Sequence, residues 1–203
     1  MSERYRLSFT TGGLFLREAS TVVERYMSIR DWKAARDQVR QENLLQVRTA
    51  AAATRISKEV TARLELLDDA ELEALQEGGL REQAYLLWVA ACRRYTFIRE
   101  FATEVVREHH LSLRRELSFG DYDNFYNSKA LWHPELDELA LSTQQKLRQN
   151  LFRMLREADL ISEQHVIQTA LLSPHLVELL LRRGVDDLMV FPVSDSEIKR
   201  WLA

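Results

Sequence analysis

The chain has 203 residues, a formal net charge of −3 and a single cysteine, Cys92. A net charge this close to zero argues against a protein that coats nucleic acid indiscriminately, and one cysteine excludes an internal disulfide. The longest apolar runs fall short of the roughly 20 residues that a membrane span needs. The N-terminus mixes charged and hydroxyl residues without a signal peptide's apolar stretch, so we expect a cytoplasmic protein.

Scarce glycine and proline, with apolar residues at helical spacing, predict a mainly α-helical protein. The sequence Thr10-Thr11-Gly12-Gly13 predicts a turn, which is followed by a helix over about 14–29. Asp31 is the predicted N-cap of a second helix, and a third helix carries an apolar stripe from Ala53 to Leu67. The side of this third helix that we expect to be exposed carries four cations: Arg48, Arg55, Lys58 and Arg63.

The middle of the chain is acidic and also has helical spacing. A short helix is predicted from Asp68-Asp69 to a left-handed C-cap at Gly78-Gly79. A wide apolar stripe predicts one long central helix over 80–108, packed on several neighbours. Two shorter helices are predicted over 109–118 and 121–133. These elements predict an N-terminal helical bundle.

Pro134 marks the predicted boundary between a bundle over 1–133 and a smaller domain over 134–203. In the second domain, Ser142-Thr143 is the predicted cap of a helix that ends near Asp159. The other predicted elements are a β-prone segment over 166–171, a helix over 174–183, a candidate strand over 185–192 and a last helical turn capped by Ser194 and Glu197.

The segment over 141–161 resembles the recognition helix of a winged helix-turn-helix domain. Four apolar residues would face the core: Leu147, Leu151, Leu155 and Ala158. The outward residues would be Gln144, Gln145, Arg148, Gln149 and Arg153. Amide and guanidinium groups of this kind read base edges or grip phosphate. The alternative is an ordinary solvated helix face, since charged outer faces are common.

The other side-chain clusters favour structural roles. Arg107, His109, His110, Arg114 and Arg115 form a basic cluster interleaved with glutamates, which is more typical of a salt-bridged helix surface than of a phosphate track. The aromatic residues near the boundary favour packing between the domains: Phe119, Tyr122, Phe125, Tyr126 and Trp132. No phosphate loop, nucleophile elbow or zinc motif is present, so we expect neither enzymatic activity nor a metal or cofactor.

Several segments together resemble one family over nearly the full chain. The most telling are the opening Phe9-Thr10-Thr11-Gly12-Gly13, the element His133-Pro134-Glu135-Leu136 and the helix from Ser142-Thr143 to Leu160. They are similar to BrxA, a small component of the bacterial BREX phage-defence system. The resemblance implies a helical N-terminal domain like the antitermination factor NusB and a helix-turn-helix-like C-terminal domain, in a protein suspected of binding DNA.

Two functional hypotheses follow. In the first, the chain binds double-stranded DNA through Gln145, Lys146, Arg148, Gln149 and Arg153 of the C-terminal winged helix and through Arg48, Arg55, Lys58 and Arg63 of the third helix. In the second, it is a scaffold that docks other BREX proteins, which include a DNA methyltransferase, an ATPase and a phosphatase-like component. DNA binding predicts that the two basic faces merge into one patch, whereas a scaffold predicts scattered charge and exposed apolar surface.

Overall fold

The computed structural model describes residues 4–203 and is mainly helical, as the composition predicts. Within these residues, β-structure is limited to two isolated antiparallel bridges, Glu116 with Val166 and Ile161 with Ile167. The helices are α1 (Leu16–Ile29), α2 (Trp32–Gln41), α3 (Ala50–Leu64), α4 (Asp69–Glu77), α5 (Leu80–Arg94), α6 (Thr96–Phe101), α7 (Glu108–Leu111), α8 (Phe119–Ala130), α9 (Pro134–Asp137), α10 (Leu141–Glu157), α11 (Pro174–Leu181) and α12 (Asp195–Leu202).

Side-chain caps define the starts of α2 and α4. The predicted cap Asp31 is confirmed, since its carboxylate accepts a hydrogen bond from the backbone N–H of Ala34 at 2.7 Å. Asp68 and Glu71 form a reciprocal capping box at the start of α4. The left-handed C-cap predicted at Gly78 is wrong, because Gly78 is extended with φ −69° and its N–H bonds to the carbonyl of Ala74.

The long central helix predicted over 80–108 is broken. α5 is buried without interruption from Ala84 to Cys92 and ends at Arg94, before Tyr95, whose backbone is extended with φ −123°. α6 follows, and a π-helical turn over Ala102–Arg107 leads into α7. The break at Tyr95 lets its hydroxyl reach the buried carboxylate of Glu59 on α3, a contact that a continuous helix pattern cannot reveal.

The helix predicted over 109–118 is also wrong beyond its first residues. α7 ends at Leu111, and Leu113 takes a left-handed conformation with φ 61°. An irregular segment then runs to Ser118, which caps α8 with Asp121. The segment stays irregular because its backbone pairs with a distant part of the chain: the N–H of Leu117 donates to the carbonyl of His165 at 2.9 Å.

The C-terminal part follows the prediction in its helices and departs from it in its strands. α10 begins at Leu141 after the N-cap Ala140, slightly earlier than a Ser142-Thr143 cap would place it. The segment over 185–192 is no strand, because it forms a 3₁₀ turn followed by irregular backbone around buried side chains. The capping box of Ser194 with Glu197 at the start of α12 is confirmed.

The hydrophobic core continues across the predicted boundary at Pro134. The indole N–H of Trp88 on α5 donates to the carbonyl of Val190 at 3.0 Å, and both residues are buried. The rings of Phe101 and Phe152 lie 6.4 Å apart between centroids. The two parts of the chain therefore share aliphatic and aromatic packing as well as hydrogen bonds.

Buried ion pairs link the same parts. Arg93 on α5 donates through Nη2 to Oε1 of Glu71 at 2.6 Å and to Oδ2 of Asp187 at 2.8 Å. Burial lowers the pKa of Arg93, but its bonds to the two carboxylates more than offset this effect, so the pKa lies above its ordinary value. This group, called here the Arg93 cluster, joins α4, α5 and the 3₁₀ turn before α12.

Candidate nucleic-acid interface

Helix α10 has one buried and one exposed side. The four residues predicted to face the core, Leu147, Leu151, Leu155 and Ala158, are all fully buried, which confirms that part of the prediction. On the opposite side, Gln145, Lys146, Gln149 and Arg153 are exposed. These four side chains make a ridge of amide and cationic groups from Gln145 to Arg153, in the middle of the 17-residue helix.

An open cleft of about 760 Å³ lies beside this ridge. Three elements contribute its cations: Arg17 comes from α1, Arg55 from α3, and Lys146 and Arg153 from α10. Arg55 and Lys146 are more than 90 positions apart in the sequence, yet all four cations line one surface. We call this surface, with the Thr10-Thr11-Gly12 turn that also lines it, the cationic cleft.

The cleft also contains two carboxylates, Glu18 and Glu157, and Glu157 holds two of its walls together. Oε2 of Glu157 on α10 accepts the backbone N–H of Leu14 at 2.5 Å, and Oε1 accepts Nε of Arg153 at 2.7 Å. A Cβ on Gly13 would lie 2.0 Å from Oε2, so only glycine allows this approach. Glu157 therefore fastens α10 to the glycine turn and orients the guanidinium of Arg153.

The start of α1 adds further hydrogen-bond donors to the cleft. Its N-cap, Phe15, is left-handed with φ 64° and provides no side-chain cap. The first N–H groups of an α-helix have no acceptor within the helix, and the helix dipole makes this end partly positive. Leu16 and Arg17 of the first turn line the cleft. Glu18 lies in the same turn and also lines the cleft, where it offsets part of this positive charge. The four cations of the cleft still outnumber its two carboxylates, so the cleft favours an anion.

The prediction that Arg63 is exposed is wrong. Arg63 was expected on the exposed side of α3, but its side chain is only 2% exposed. Its Nε donates to Oε1 of Glu59 at 2.7 Å, and its Nη1 donates to the carbonyl of Gly13 at 2.8 Å. The apolar stripe of α3 is wider than the sequence pattern indicates, because the glycine turn covers it. Arg63 thus stabilises the glycine turn, whose residues Thr10, Thr11 and Gly12 line the cleft.

Arg148 points to a different flank of α10 from Lys146 and Arg153. Its Nη1 donates to both carboxylate oxygens of Asp123 at 2.8 Å, and its guanidinium carbon lies 4.8 Å from the ring centroid of Phe119. Gln145 lies on this flank too, in a smaller pocket that Arg148 also lines. The two basic faces therefore meet through Arg55, Lys146 and Arg153, and not through Arg148.

The remaining predicted cations lie outside the cleft. Arg48 precedes α3, and both it and Lys58 are exposed but are not among the residues that line the cleft. Arg17 is the cleft cation that the sequence analysis missed. The available signal was its position in the first turn of the helix after the glycine turn, where a cation is unusual because of the helix dipole.

A wing-like hairpin follows α10. The backbone N–H of Ser162 donates to the carbonyl of Val166 at 2.8 Å, and Ile161 and Ile167 form one of the two bridges. On its outer edge, the N–H of Ile167 donates to the carbonyl of Arg115 at 2.7 Å. The β-prone segment over 166–171 is thus realised as one short arm of a hairpin, called here the wing hairpin (160–168).

Three histidines lie in or near this hairpin, and they predict a pH dependence of stability. Burial lowers the pKa of His109, His110 and His165 below the ordinary value, and Arg114 and Arg156 lower those of His109 and His165 further. Near the ordinary histidine pKa the unfolded chain therefore binds more protons, so the free energy of unfolding decreases as the pH falls. We expect the Tm, measured by calorimetry, to decrease from about pH 7.5 to about pH 5.5.

The control is a variant in which His109, His110 and His165 are replaced by glutamine, which should lose most of this decrease. A Tm that stays constant or rises on acidification in the unmodified protein would contradict the prediction.

In residues 4–203, no group of three or more His, Cys, Asp or Glu side chains is placed to hold a metal ion. No helix in the same part of the chain has the length and apolar character required to cross a membrane.

The class of this protein is therefore mainly α-helical, with a cationic cleft beside the exposed side of α10. The family profile described as BrxA matches residues 3–184, so the chain belongs to the BrxA family, which confirms the resemblance. A protein named BREX protein BrxA from Escherichia coli O9:H4 (strain HS) is 28% identical over 180 residues, with 88% of this chain and 84% of that protein covered. One of the same name from Bacillus cereus (strain H3081.97) is 26% identical over 140 residues, with 68% and 70% covered.

A solved structure has the same fold. The crystal structure of an uncharacterized protein from Magnetospirillum magneticum superposes with a TM-score of 0.77 at 21% identity, and the match covers 93% of this chain and 96% of that one. At this identity, the likeness concerns the fold alone.

Proposed function

We propose that this protein is a non-enzymatic component of BREX phage defence that binds double-stranded DNA through α10 and the cationic cleft. Membership of the BrxA family supports the role in defence, since its curated relatives are named BREX proteins. The observation that carries DNA binding is the convergence of Arg17, Arg55, Lys146 and Arg153 on one cleft. Cations brought together from distant segments are typical of a site that neutralises phosphates.

The geometry of α10 supports a winged-helix mode. An α-helix fits the major groove of DNA, where side-chain amides and guanidinium groups can read base edges. Gln145 and Gln149 are exposed on the ridge, and Lys146 and Arg153 border the cleft. We propose that the amides face the bases and that the cations hold the phosphates of one strand. Arg48 and Lys58 are further exposed cations close to Arg55 in sequence, and they would extend this phosphate contact.

Arg148 has a separate place in this proposal. Its Nη1 donates to both carboxylate oxygens of Asp123, and its guanidinium packs on the ring of Phe119. Both arginines are paired with a carboxylate, but only 25% of the Arg148 side chain is exposed against 56% for Arg153, so the contribution of Arg148 to affinity should be smaller. We retain Arg148 as a DNA-contacting residue of secondary importance. The division into 1–133 and 134–203 also stays a proposal, with α10 and the wing hairpin in the second part.

The test is a titration of a fluorescently labelled duplex by anisotropy at about 50 mM and about 200 mM salt. The unmodified protein should bind more weakly at the higher salt, because bound phosphates release counterions. The variant Arg55→Ala with Arg153→Ala should bind at least about tenfold more weakly, with a salt dependence shallower by about two phosphate contacts. The variant Arg148→Ala should lose less than Arg153→Ala alone.

A matched control is Arg182→Ala, which removes an exposed arginine at the end of α11 that pairs only loosely with Glu178, at 3.9 Å. It matches the single variants Arg148→Ala and Arg153→Ala in changing the net charge by one, and it does not touch the cleft, so its affinity should stay within about twofold. Absence of binding by the unmodified protein at low salt would reject the proposal. Binding that the cleft variant leaves unchanged would reject the cleft as the site.

A second candidate function is a scaffold that docks other BREX proteins, such as the methyltransferase, the ATPase or the phosphatase-like component. The observation that favours it is the exposure of three large apolar side chains around α9: Leu131 at 79%, Trp132 at 77% and Leu141 at 75%. Exposed tryptophan and leucine are typical of protein interfaces. A scaffold would bind a partner protein with an affinity that Leu131→Ser with Leu141→Ser weakens and that the cleft variant does not.

A further inference from the structure

A second cationic pocket lies on the outer side of the wing hairpin. It has a volume of about 370 Å³. Its lining includes His110 of α7, Arg114 and Arg115 after α7, Gln168 at the end of the hairpin and Thr169. None of the described residues that line it is acidic. We call it the hairpin pocket. The sequence analysis assigned its arginines to a salt-bridged surface, which holds for Arg114 only in part.

Arg114 is held in place and still has donors to offer. Its Nη2 donates to Oδ1 of Asp121 at 2.7 Å, and its Nη1 lies 3.2 Å from Nε2 of His109. Asp121 is fixed in turn by the backbone N–H of Ser118 at 2.7 Å. A guanidinium has five N–H donors, so this anchoring leaves others for a ligand, and 54% of the Arg114 side chain is exposed.

Arg115 supplies charge that Asp121 does not neutralise. Its side chain is exposed, while its carbonyl accepts the N–H of Ile167 and so is part of the hairpin's outer edge. The backbone under Arg115 is thereby fixed by a 2.7 Å hydrogen bond. A cation on a fixed backbone loses less conformational freedom when it binds phosphate than one on a loose loop.

The hairpin pocket and the cationic cleft lie on different flanks of α10. The ring of Phe152 faces the hairpin, with its centroid 5.0 Å from that of His165, whereas Arg153 lines the cleft. Successive residues of an α-helix point about 100° apart, since one turn has 3.6 residues. The hairpin pocket is lined by residues of this hairpin, so it lies on the side of α10 that Phe152 faces.

We infer that the hairpin pocket is a second phosphate-binding site, which holds a backbone phosphate of the DNA strand opposite to the one in the cationic cleft. This inference rests on the proposed function. A helix about 10–12 Å in diameter fills a major groove about 12 Å wide, so the two phosphate backbones pass along its two flanks. The cleft serves one flank, and the hairpin pocket lies beyond the wing hairpin on the other.

The test compares the unmodified chain with the variant Arg115→Glu, using a labelled duplex of about 20 base pairs, two helical turns, and the matching single strand. We expect Arg115→Glu to weaken duplex binding about tenfold and to make the salt slope shallower by about one phosphate contact. Binding of the single strand should change by less than about twofold, because it lacks the opposite backbone. Arg182→Glu is the matched charge-reversal control, and circular dichroism checks that both variants fold.

Each outcome separates this inference from the proposed function. If the unmodified chain binds the duplex and Arg115→Glu binds it equally well at both salts, the second site is overturned and the proposed function stands. If Arg115→Glu weakens duplex and single strand equally, the assignment to the opposite strand is overturned. If the unmodified chain does not bind the duplex at low salt, the inference and the proposed function are both overturned.

Discussion

Replacement of Arg93 by methionine should destabilise the fold by about 3–5 kcal/mol, because it leaves two buried carboxylates without their cation. Glu71 is fully buried and Asp187 has a side chain only 8% exposed. Arg93 also donates through Nη1 to the carbonyl of Leu66 at 3.0 Å, but this carbonyl keeps a second donor, Nη1 of Arg183 at 2.6 Å, so the unpaired carboxylates account for most of the loss. For a chain of this size we expect a decrease in Tm of about 10 °C, measured by calorimetry at neutral pH.

The control separates unpaired charge from lost packing. In a variant that combines Arg93→Met with Glu71→Gln and Asp187→Asn, the buried charges are absent, and much of the lost stability should return. A decrease of less than about 1 kcal/mol for Arg93→Met alone would show that the Arg93 cluster contributes little to stability. Arg183 is the group that could limit the loss, since its Nη1 lies 3.7 Å from Oε2 of Glu71.

Replacement of Arg63 by methionine is the second change for which we expect a large loss of stability. The pair of Arg63 with Glu59 is buried, and the hydroxyl of Tyr95 also donates to Glu59. Burial and the neighbouring Glu59 raise the pKa of Tyr95, so this hydroxyl keeps its proton and cannot replace the cation. We expect a loss of about 3–5 kcal/mol in the free energy of unfolding, measured by urea denaturation.

Arg63→Met should also change the cleft, because Arg63 holds the carbonyl of Gly13 at 2.8 Å. The variant Arg63→Met with Glu59→Gln removes the unpaired charge, so it should recover stability without restoring this contact. Measured well below its Tm, the double variant should still bind duplex DNA more weakly than the unmodified chain. Full recovery of both stability and affinity would show that Arg63 is not needed to position the glycine turn.

The sequence predicted the helices whose burial is one-sided. The apolar positions of α10 and the caps at Asp31 and Ser194 depend on local spacing, and all are found in the structure. It failed where backbone groups find distant partners. In the candidate strand over 185–192, the carbonyl of Val190 accepts the indole N–H of Trp88, 102 positions away, instead of a backbone N–H of a neighbouring strand. Local propensity does not contain that information.

The candidate site was predictable in its residue types and less so in its geometry. Arg55, Lys146 and Arg153 were proposed from charge on outward helix faces, and the structure brings them to one cleft. Arg63 has the same charge and helical spacing as Arg55, yet it is buried because the glycine turn covers its side of α3. Arg148 was equally plausible, but Asp123, 25 positions earlier, holds it on another flank. These outcomes depend on tertiary contacts that periodicity does not encode.

The approach of Glu157 to Gly13 also constrains how this protein can evolve. A larger residue at position 13 would displace the carboxylate that accepts the N–H of Leu14 and orients Arg153. Conversely, once position 157 has lost its carboxylate, selection no longer requires glycine at position 13. The two positions, 144 residues apart, should therefore vary together among descendants of this chain, and a change at one should be tolerated mainly after a change at the other.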